Sequence, residues 1–242
     1  MTNKDDKLSP PAQVDKKPQY QAVEPHFKKI SEVDLVQGRK MRNYYAFQSK
    51  IYDATRWSFL FGRKAILKEL PFTRTSQFTL LEVGCGTGHN LKSLLRLYPN
   101  ARFIGIDVSS DMLKIAQQKT IHSGNRLQLI EGAYGQVNLH AQPDVILFSY
   151  CLTMVNPHWV KLLRQANLDL NDHGSIALVD FHHGKKWFRR HMKKHHVRMD
   201  AHLLPFLEEE FISETVKVRK VYGGIWSYMS FIGKKKLASK NM

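Results

Sequence analysis

Cysteine is nearly absent from this chain, with two residues in 242. So few exclude a disulfide framework, and a reducing compartment is the simplest reading. Cys85 and Cys151 lie in apolar surroundings and read as small hydrophobes. Long hydrophobic runs are lacking as well. The longest apolar-leaning stretch, Val145 to Val155, falls far short of the roughly 18 residues a membrane helix needs. Met1 to Pro18 is polar and has no apolar h-region, so neither a signal peptide nor an integral span is expected, and the expected location is the cytoplasm. Acidic residues are scarce beside basic ones, 21 against 37, which leaves a formal charge of +16. A field of that size favours polyanions, either nucleic acid or an anionic membrane face.

The remaining composition is that of a globular chain, 43% hydrophobic, and its length suits one α/β domain with a modest extension. No internal repeat is visible. Residues 1–25, rich in Lys, Asp, Gln and Pro, read as a disordered tail. Residues 26–75 read as a helical cap, with Phe47, Ile51 and Tyr52, then Phe59, Arg63, Ile66 and Leu70, at helical spacing before Pro71.

Residues 76–242 then alternate. Strands are expected at 78–83, 102–107, 127–130, 144–149 and 175–181. Helices are expected at 89–97, 111–122 and 157–170, and 185–207 reads as largely helical. Two further strands, 214–221 and 225–232, flank Gly223-Gly224, a hairpin signal. Repeated β-α units closing on a hairpin predict an α/β fold: a Rossmann-like, doubly wound sheet of seven strands, mostly parallel, with an antiparallel C-terminal hairpin.

The most informative segment is Leu80-Leu81-Glu82-Val83-Gly84-Cys85-Gly86-Thr87-Gly88. It closes the first strand and opens the first helix of the alternating region, where glycines permit a tight turn and close approach of a ligand to the backbone. The spacing is G-x-G-x-G rather than the G-x-G-x-x-G of dinucleotide binders, and no Gly-Lys-Ser/Thr follows, which argues against a phosphate-cradling P-loop. The second strand ends in Asp107, an acid placed to meet a ribose diol.

The run Leu81 to Gly88, with Gly105-Ile106-Asp107 and the closing hairpin, resembles the class I S-adenosylmethionine methyltransferases over roughly Gln77 to Lys234. The resemblance implies S-adenosyl-L-methionine as cofactor. It implies that Gly84, Gly86 and Gly88 line its methionine part, that Glu82 supports the loop and that Asp107 holds the ribose hydroxyls. Cys85, Val108, Met112, Ala133, Tyr134 and Ser149 complete the expected cofactor site. The acid that often follows the third strand in that family is missing from Glu131-Gly132-Ala133-Tyr134, so adenine recognition falls to backbone groups and stacking.

A narrower resemblance rests on residues 41–63, with Tyr52-Asp53-Ala54-Thr55-Arg56 at their centre, on Ser149 to Met154, and on Val179-Asp180-Phe181. These are similar to the diacylglyceryl-homoserine N-methyltransferases of betaine-lipid synthesis, to which phosphatidylethanolamine N-methyltransferases are related. It implies a lipid head-group amine as acceptor, methylated in successive steps. Aromatic faces suit the resulting cation. Tyr44, Tyr45, Tyr52, Trp57 and Tyr150 are the candidates to line that site, with Tyr45 a substrate contact; Tyr44, Tyr45 and Trp57 are equally open to a plain packing role. His182 is a candidate proton acceptor, His183 a substrate contact, and Arg56 a partner for a head-group carboxylate or for Asp53.

Lys185 to Arg198 interleaves cations with Trp187, Phe188 and Met192, a composition able to lie on an anionic bilayer at the inner face of a membrane. A solvated basic face is the plainer reading. His191 and His195 stand four apart, but no Glu or Cys completes a zinc motif, and no metal is expected. An RNA or DNA methyltransferase is the first rival. Against it, Ser149-Tyr150-Cys151-Leu152 stands where amino-group base methylation commonly places an Asn/Asp-Pro-Pro-Tyr/Phe box, and Tyr150 rather than Pro precedes Cys151. A small-molecule methyltransferase and a non-catalytic scaffold are the others.

Overall fold

The computed structural model of the protein describes residues 59–237. The expected tail, most of the helical cap, and Tyr44, Tyr45, Tyr52, Arg56 and Trp57 lie outside the described residues. Within them the elements run α1 (Arg63–Lys68), β1 (Thr79–Val83), α2 (His89–Leu97), β2 (Arg102–Asp107), α3 (Ser110–Lys119), β3 (Leu127–Glu131) and β4 (Val145–Ser149). They continue with α4 (Trp159–Asp169), β5 (Ser175–Gly184), α5 (Lys186–Lys193), α6 (Leu203–Glu210), β6 (Phe211–Val221) and β7 (Trp226–Lys235).

The strands form one sheet in the order β3-β2-β1-β4-β5-β7-β6. β1 to β5 pair in parallel, and β7 is antiparallel to both β5 and β6. This is the doubly wound sheet with a reversed hairpin that the alternation predicts. Successive side chains point to opposite faces, so Leu80 joins the core under α1 and α2 while Leu81 joins the core under α4 and α6. Helices on both faces explain why β4 reads as the unbroken run Val145-Ile146-Leu147-Phe148, all four buried. β6 is an edge strand, and its exposed positions include Arg219 and Lys220, charges that discourage pairing with another edge.

Several boundaries differ from the sequence reading, β5 among them, which runs on to Gly184 rather than ending at Phe181. The helix expected to reach residue 122 ends at Lys119, where Thr120 turns its hydroxyl back to the Ala116 carbonyl at 2.7 Å. The expected helical stretch 185–207 is two short helices, α5 and α6. Between them His196 and Ala201 adopt left-handed backbone, and the segment pairs with β5 through a bridge between His183 and Asp200. β6 and β7 are longer than predicted, because each pairs along nearly its whole length. No helix among the described residues is long and apolar enough to cross a membrane.

Candidate functional site

The strand order changes direction between β1 and β4, and a crevice forms outside the carboxyl ends of these strands. The glycine loop lies there. Its fold is held by the Cys85 amide donating to Ile106 O at 3.0 Å and the Gly88 amide donating to Cys85 O at 3.1 Å. Asp107, at the tip of β2, clamps the loop by accepting the Gly86 amide at 2.8 Å and caps its own turn by accepting the Ser109 amide at 2.9 Å. Burial raises the Asp107 carboxyl above its ordinary range, against the lowering effect of these amides.

The glycines serve different ends. A Cβ on Gly88 would stand 2.8 Å from that of Ala116, so this residue lets the loop pack on α3. A Cβ on Gly84 would meet Cys151 Sγ at 2.9 Å. Beside Gly86 a Cβ would meet nothing within 4 Å, so Gly86 is the one that borders open space in the crevice. All three have positive φ. Gly88→Ala is therefore expected to lower stability by about 2–4 kcal/mol, combining left-handed strain with overpacking. Gly86→Leu should cost only about 1–2 kcal/mol of strain, yet weaken S-adenosylhomocysteine binding at least about tenfold by filling the crevice. Thermal midpoints and calorimetry separate the two effects.

Beneath the loop runs a buried polar chain. Arg63 Nε donates to Asn90 Oδ1 at 3.1 Å, and Asn90 Nδ2 donates to Glu82 Oε1 at 2.6 Å, joining α1, α2 and β1. Glu82 Oε2 is buried without a partner among the described residues. Burial pushes the Glu82 carboxyl up to about 7, against the pull of Asn90 and Arg63. The folded state thus holds this proton more tightly than the unfolded chain does. The associated stability is complete below about pH 4.5 and is lost as pH rises through about 7. Glu82→Gln, which does not titrate, should gain stability relative to the parent on the order of 2 kcal/mol between pH 5 and pH 8. Parallel denaturation curves at the two pH values check this; an unchanged difference would mean Glu82 is ionised throughout.

Other expected cofactor residues divide by what their side chains meet. Cys85 turns its thiol into the core, where burial raises its pKa well above the ordinary value. With its amide and carbonyl already bonded, it has little left to offer a ligand. Tyr134 is likewise a packing residue: its ring lies edge-on to Phe148 and its hydroxyl donates to Asp169 Oδ2 at 2.7 Å, so only the neighbouring backbone is left to border an adenine. Met112 is buried at the first turn of α3, where its amide donates to Ser109 Oγ. Val108 and Ala133 are half-buried at the ends of β2 and β3. Ser149, at the end of β4, has a buried hydroxyl without a partner among the described residues.

On the acceptor side, Tyr150 follows β4 with a left-handed φ of 54°, a strained conformation for a tyrosine. Its hydroxyl donates to Phe61 O at 2.7 Å and its ring packs edge-on to Phe181 at 4.8 Å. The hydroxyl is thereby engaged, which leaves Tyr150 a ring surface rather than an acid or base. His182 sits at a bulge in the β5–β7 pairing between Phe181 and His183, a device that re-aims a side chain. Its Nδ1 is buried without a partner among the described residues, and burial, then the neighbouring His183, lowers its pKa. His183 is exposed, with its backbone tied to Ser227 Oγ.

A second histidine escaped the sequence reading. His202 Nδ1 lies 2.5 Å from Asp200 Oδ1, and Asp200 Oδ2 accepts Arg198 Nε at 2.8 Å. The His202 ring packs edge-on to Trp159, and its Nε2 is buried without a partner. The Asp200-Ala201-His202 spacing was the available signal, hidden by reading this stretch as one helix. His191 and His195 approach to 5.1 Å between ring centroids on α5 and beyond it.

Residues 80–174 match the family described as Methyltransferase domain. The chain is 32% identical over 108 residues to a malonyl-[acyl-carrier protein] O-methyltransferase of Priestia megaterium, covering 45% of this chain and 38% of the relative. It is 28% identical over 166 residues to the enzyme of that name from Acetivibrio thermocellus, covering 66% and 58%. The chain thus spans well under two thirds of these relatives' own length. In fold it is similar to the 1,6-didemethyltoxoflavin-N1-methyltransferase of Burkholderia thailandensis, solved with S-adenosylhomocysteine. That match has a TM-score of 0.64 at 14% identity and covers 88% of this chain and 94% of that one. The matched residues 80–174 take in the glycine loop and Asp107, so this part of the chain is similar to methyltransferase domains, and the fold is shared with an enzyme solved with S-adenosylhomocysteine.

Proposed function

We propose that the chain is an N-methyltransferase acting on the amine of a lipid head group. Its substrate is diacylglyceryl-homoserine, methylated successively to a betaine lipid at the anionic inner face of a membrane, with phosphatidylethanolamine as the alternative head group. The observation that supports this reading is the aromatic cluster beyond β4, in which the Tyr150 ring packs edge-on to Phe181 and its hydroxyl bonds the Phe61 carbonyl, residues of the segments that resemble lipid N-methyltransferases. Aromatic faces favour a nitrogen that becomes a fixed cation, worth roughly 0.5–2 kcal/mol per contact.

In this reading Gly86 leaves room for the methionine part of the cofactor, Asp107 binds the ribose hydroxyls, and Ser149 Oγ meets a polar group. Bound S-adenosylmethionine supplies a sulfonium methyl open to direct displacement. The protein's own part is to hold a neutral amine in line and to exclude water. His182, kept neutral by burial, accepts the amine proton at Nδ1. Tyr52, Tyr45 and Arg56, assigned to the head-group site by the sequence resemblance, lie outside the described residues.

A second reading rests on the relatives in Priestia and Acetivibrio, whose names make the acceptor a malonyl group on a carrier protein. A carboxylate acceptor needs no aromatic wall. Purified protein is offered labelled S-adenosylmethionine with diacylglyceryl-homoserine or phosphatidylethanolamine in mixed micelles, or with malonyl-carrier protein. Label is expected in a lipid amine. Label in the malonyl ester alone would replace the first reading with the second, and label in none would send the search to RNA and soluble amines.

A further inference from the structure

α5 and the tip of the β6–β7 hairpin border a cavity of about 370 Å³ that is largely open to solvent. Phe59, Trp187, Phe188, Tyr222, Ile225 and Trp226 line it, with His191 at its side. It lies at the sheet edge that carries the crevice. β5 runs out into α5 there, and β7, being antiparallel, begins there at Trp226. An aromatic path joins the two places. Tyr150 donates to Phe61 O, and the Phe61 ring lies 5.9 Å from that of Trp226.

Two features say what the cavity takes. Trp226 is 1% exposed, yet its indole N–H is buried without an acceptor among the described residues. A purely apolar guest would leave that donor unpaired, which is costly. A guest with an apolar chain suits the rings, and a carbonyl oxygen on it pairs with the donor once the Trp226 ring shifts to expose it. The second feature is the rim. α5 carries Lys186, Arg189, Arg190 and Lys193 with no acid, and Arg219 and Lys220 stand exposed near the hairpin tip. Trp187 is 61% exposed and Tyr222 51%. Exposed aromatic rings beside a row of cations are the composition of a surface that lies in a bilayer interface.

We infer that this cavity takes up the acyl chain and ester group of an anionic bilayer lipid. The cations of α5 rest on lipid phosphates, and the methyl-transfer crevice is turned toward the membrane. The inference rests on the lipid reading and gives it a docking site.

The test uses the full chain with vesicles of phosphatidylglycerol or phosphatidylcholine, neither of which carries a methylatable amine. Co-sedimentation should be at least about tenfold tighter on phosphatidylglycerol. Trp187→Ala and Ile225→Trp, which keep the charge but remove a rim anchor or fill the cavity, should each weaken it at least about fivefold. Brominated acyl chains should quench the tryptophan fluorescence of the parent but much less that of Ile225→Trp with Trp187 also replaced. Parental S-adenosylhomocysteine affinity shows that a variant is folded. Equal binding to both vesicles, or undiminished binding by both variants, overturns the inference. So does binding to RNA without binding to vesicles. Absent docking with methylation of a dispersed lipid amine intact removes the cavity but leaves the head-group reading. Docking without methylation of any lipid amine does the reverse.

Discussion

Asp180→Ala is expected to destabilise the protein on the order of 3–5 kcal/mol at pH 5, read as a shift in the urea midpoint at unchanged slope. Asp180 is fully buried near the end of β5. Its Oδ1 accepts the Thr153 hydroxyl at 2.5 Å and the Phe181 amide at 2.8 Å, and its Oδ2 accepts the Thr153 amide at 3.2 Å. Alanine strands these donors in a site without exposure, at roughly 1–3 kcal/mol for each one left unpaired. Asp180→Asn, which keeps an acceptor, should lose less. Burial pushes the Asp180 carboxyl up to about 6, so its contribution is greatest below about pH 4 and is lost as pH rises through about 6. The cost of the alanine variant should therefore shrink toward pH 8. A loss below about 1 kcal/mol would mean that water replaces the carboxylate, and the clamp between β5 and the turn at Thr153 would lose its importance. Because Thr153 O also accepts the Arg198 amide, the same variant should loosen the segment that carries His202.

Asp107→Ala is expected to weaken S-adenosylhomocysteine binding on the order of 100-fold, with charged hydrogen bonds each contributing roughly 1.5–3 kcal/mol. Two losses combine. In the proposed site the ribose hydroxyls lose their acceptor, and the Gly86 amide loses the carboxylate that fixes the loop. Isothermal calorimetry reads the affinity directly. Asp107→Glu separates the two losses, since its longer arm keeps the charge but cannot hold the same geometry. Unchanged affinity in Asp107→Ala would move the ribose contact to another residue.

How much of this was legible in the residues differs from part to part. β2 and α2 fall at the boundaries their patterns predict, Arg102–Asp107 and His89–Leu97, because apolar periodicity and a glycine turn are local signals. The placement of Asp107 at a strand tip is equally local. The two short helices α5 and α6 were not legible as separate elements. Their interruption depends on Arg198 and Ala201 amides bonding to Thr153 and His182, partners brought near only by the assembled sheet. Cys85 and Tyr134 read as cofactor residues from their position in motifs, yet packing turned one thiol and one ring into the core.

The sequence by itself determined the alternation of strands and helices, the reversed hairpin, the glycine loop and the acid beyond it. Chirality, side-chain period and turn chemistry act over a few residues and need no distant partner. Tertiary structure alone decided which polar atoms meet: Glu82 with Asn90, Asp180 with Thr153, and Tyr150 with a carbonyl 89 residues away. It also decided that α5 and the hairpin tip border an open cavity. Those pairings follow from how the strands stack in order β3-β2-β1-β4-β5-β7-β6, where burial makes an unpaired polar group costly and so selects the arrangement that satisfies it.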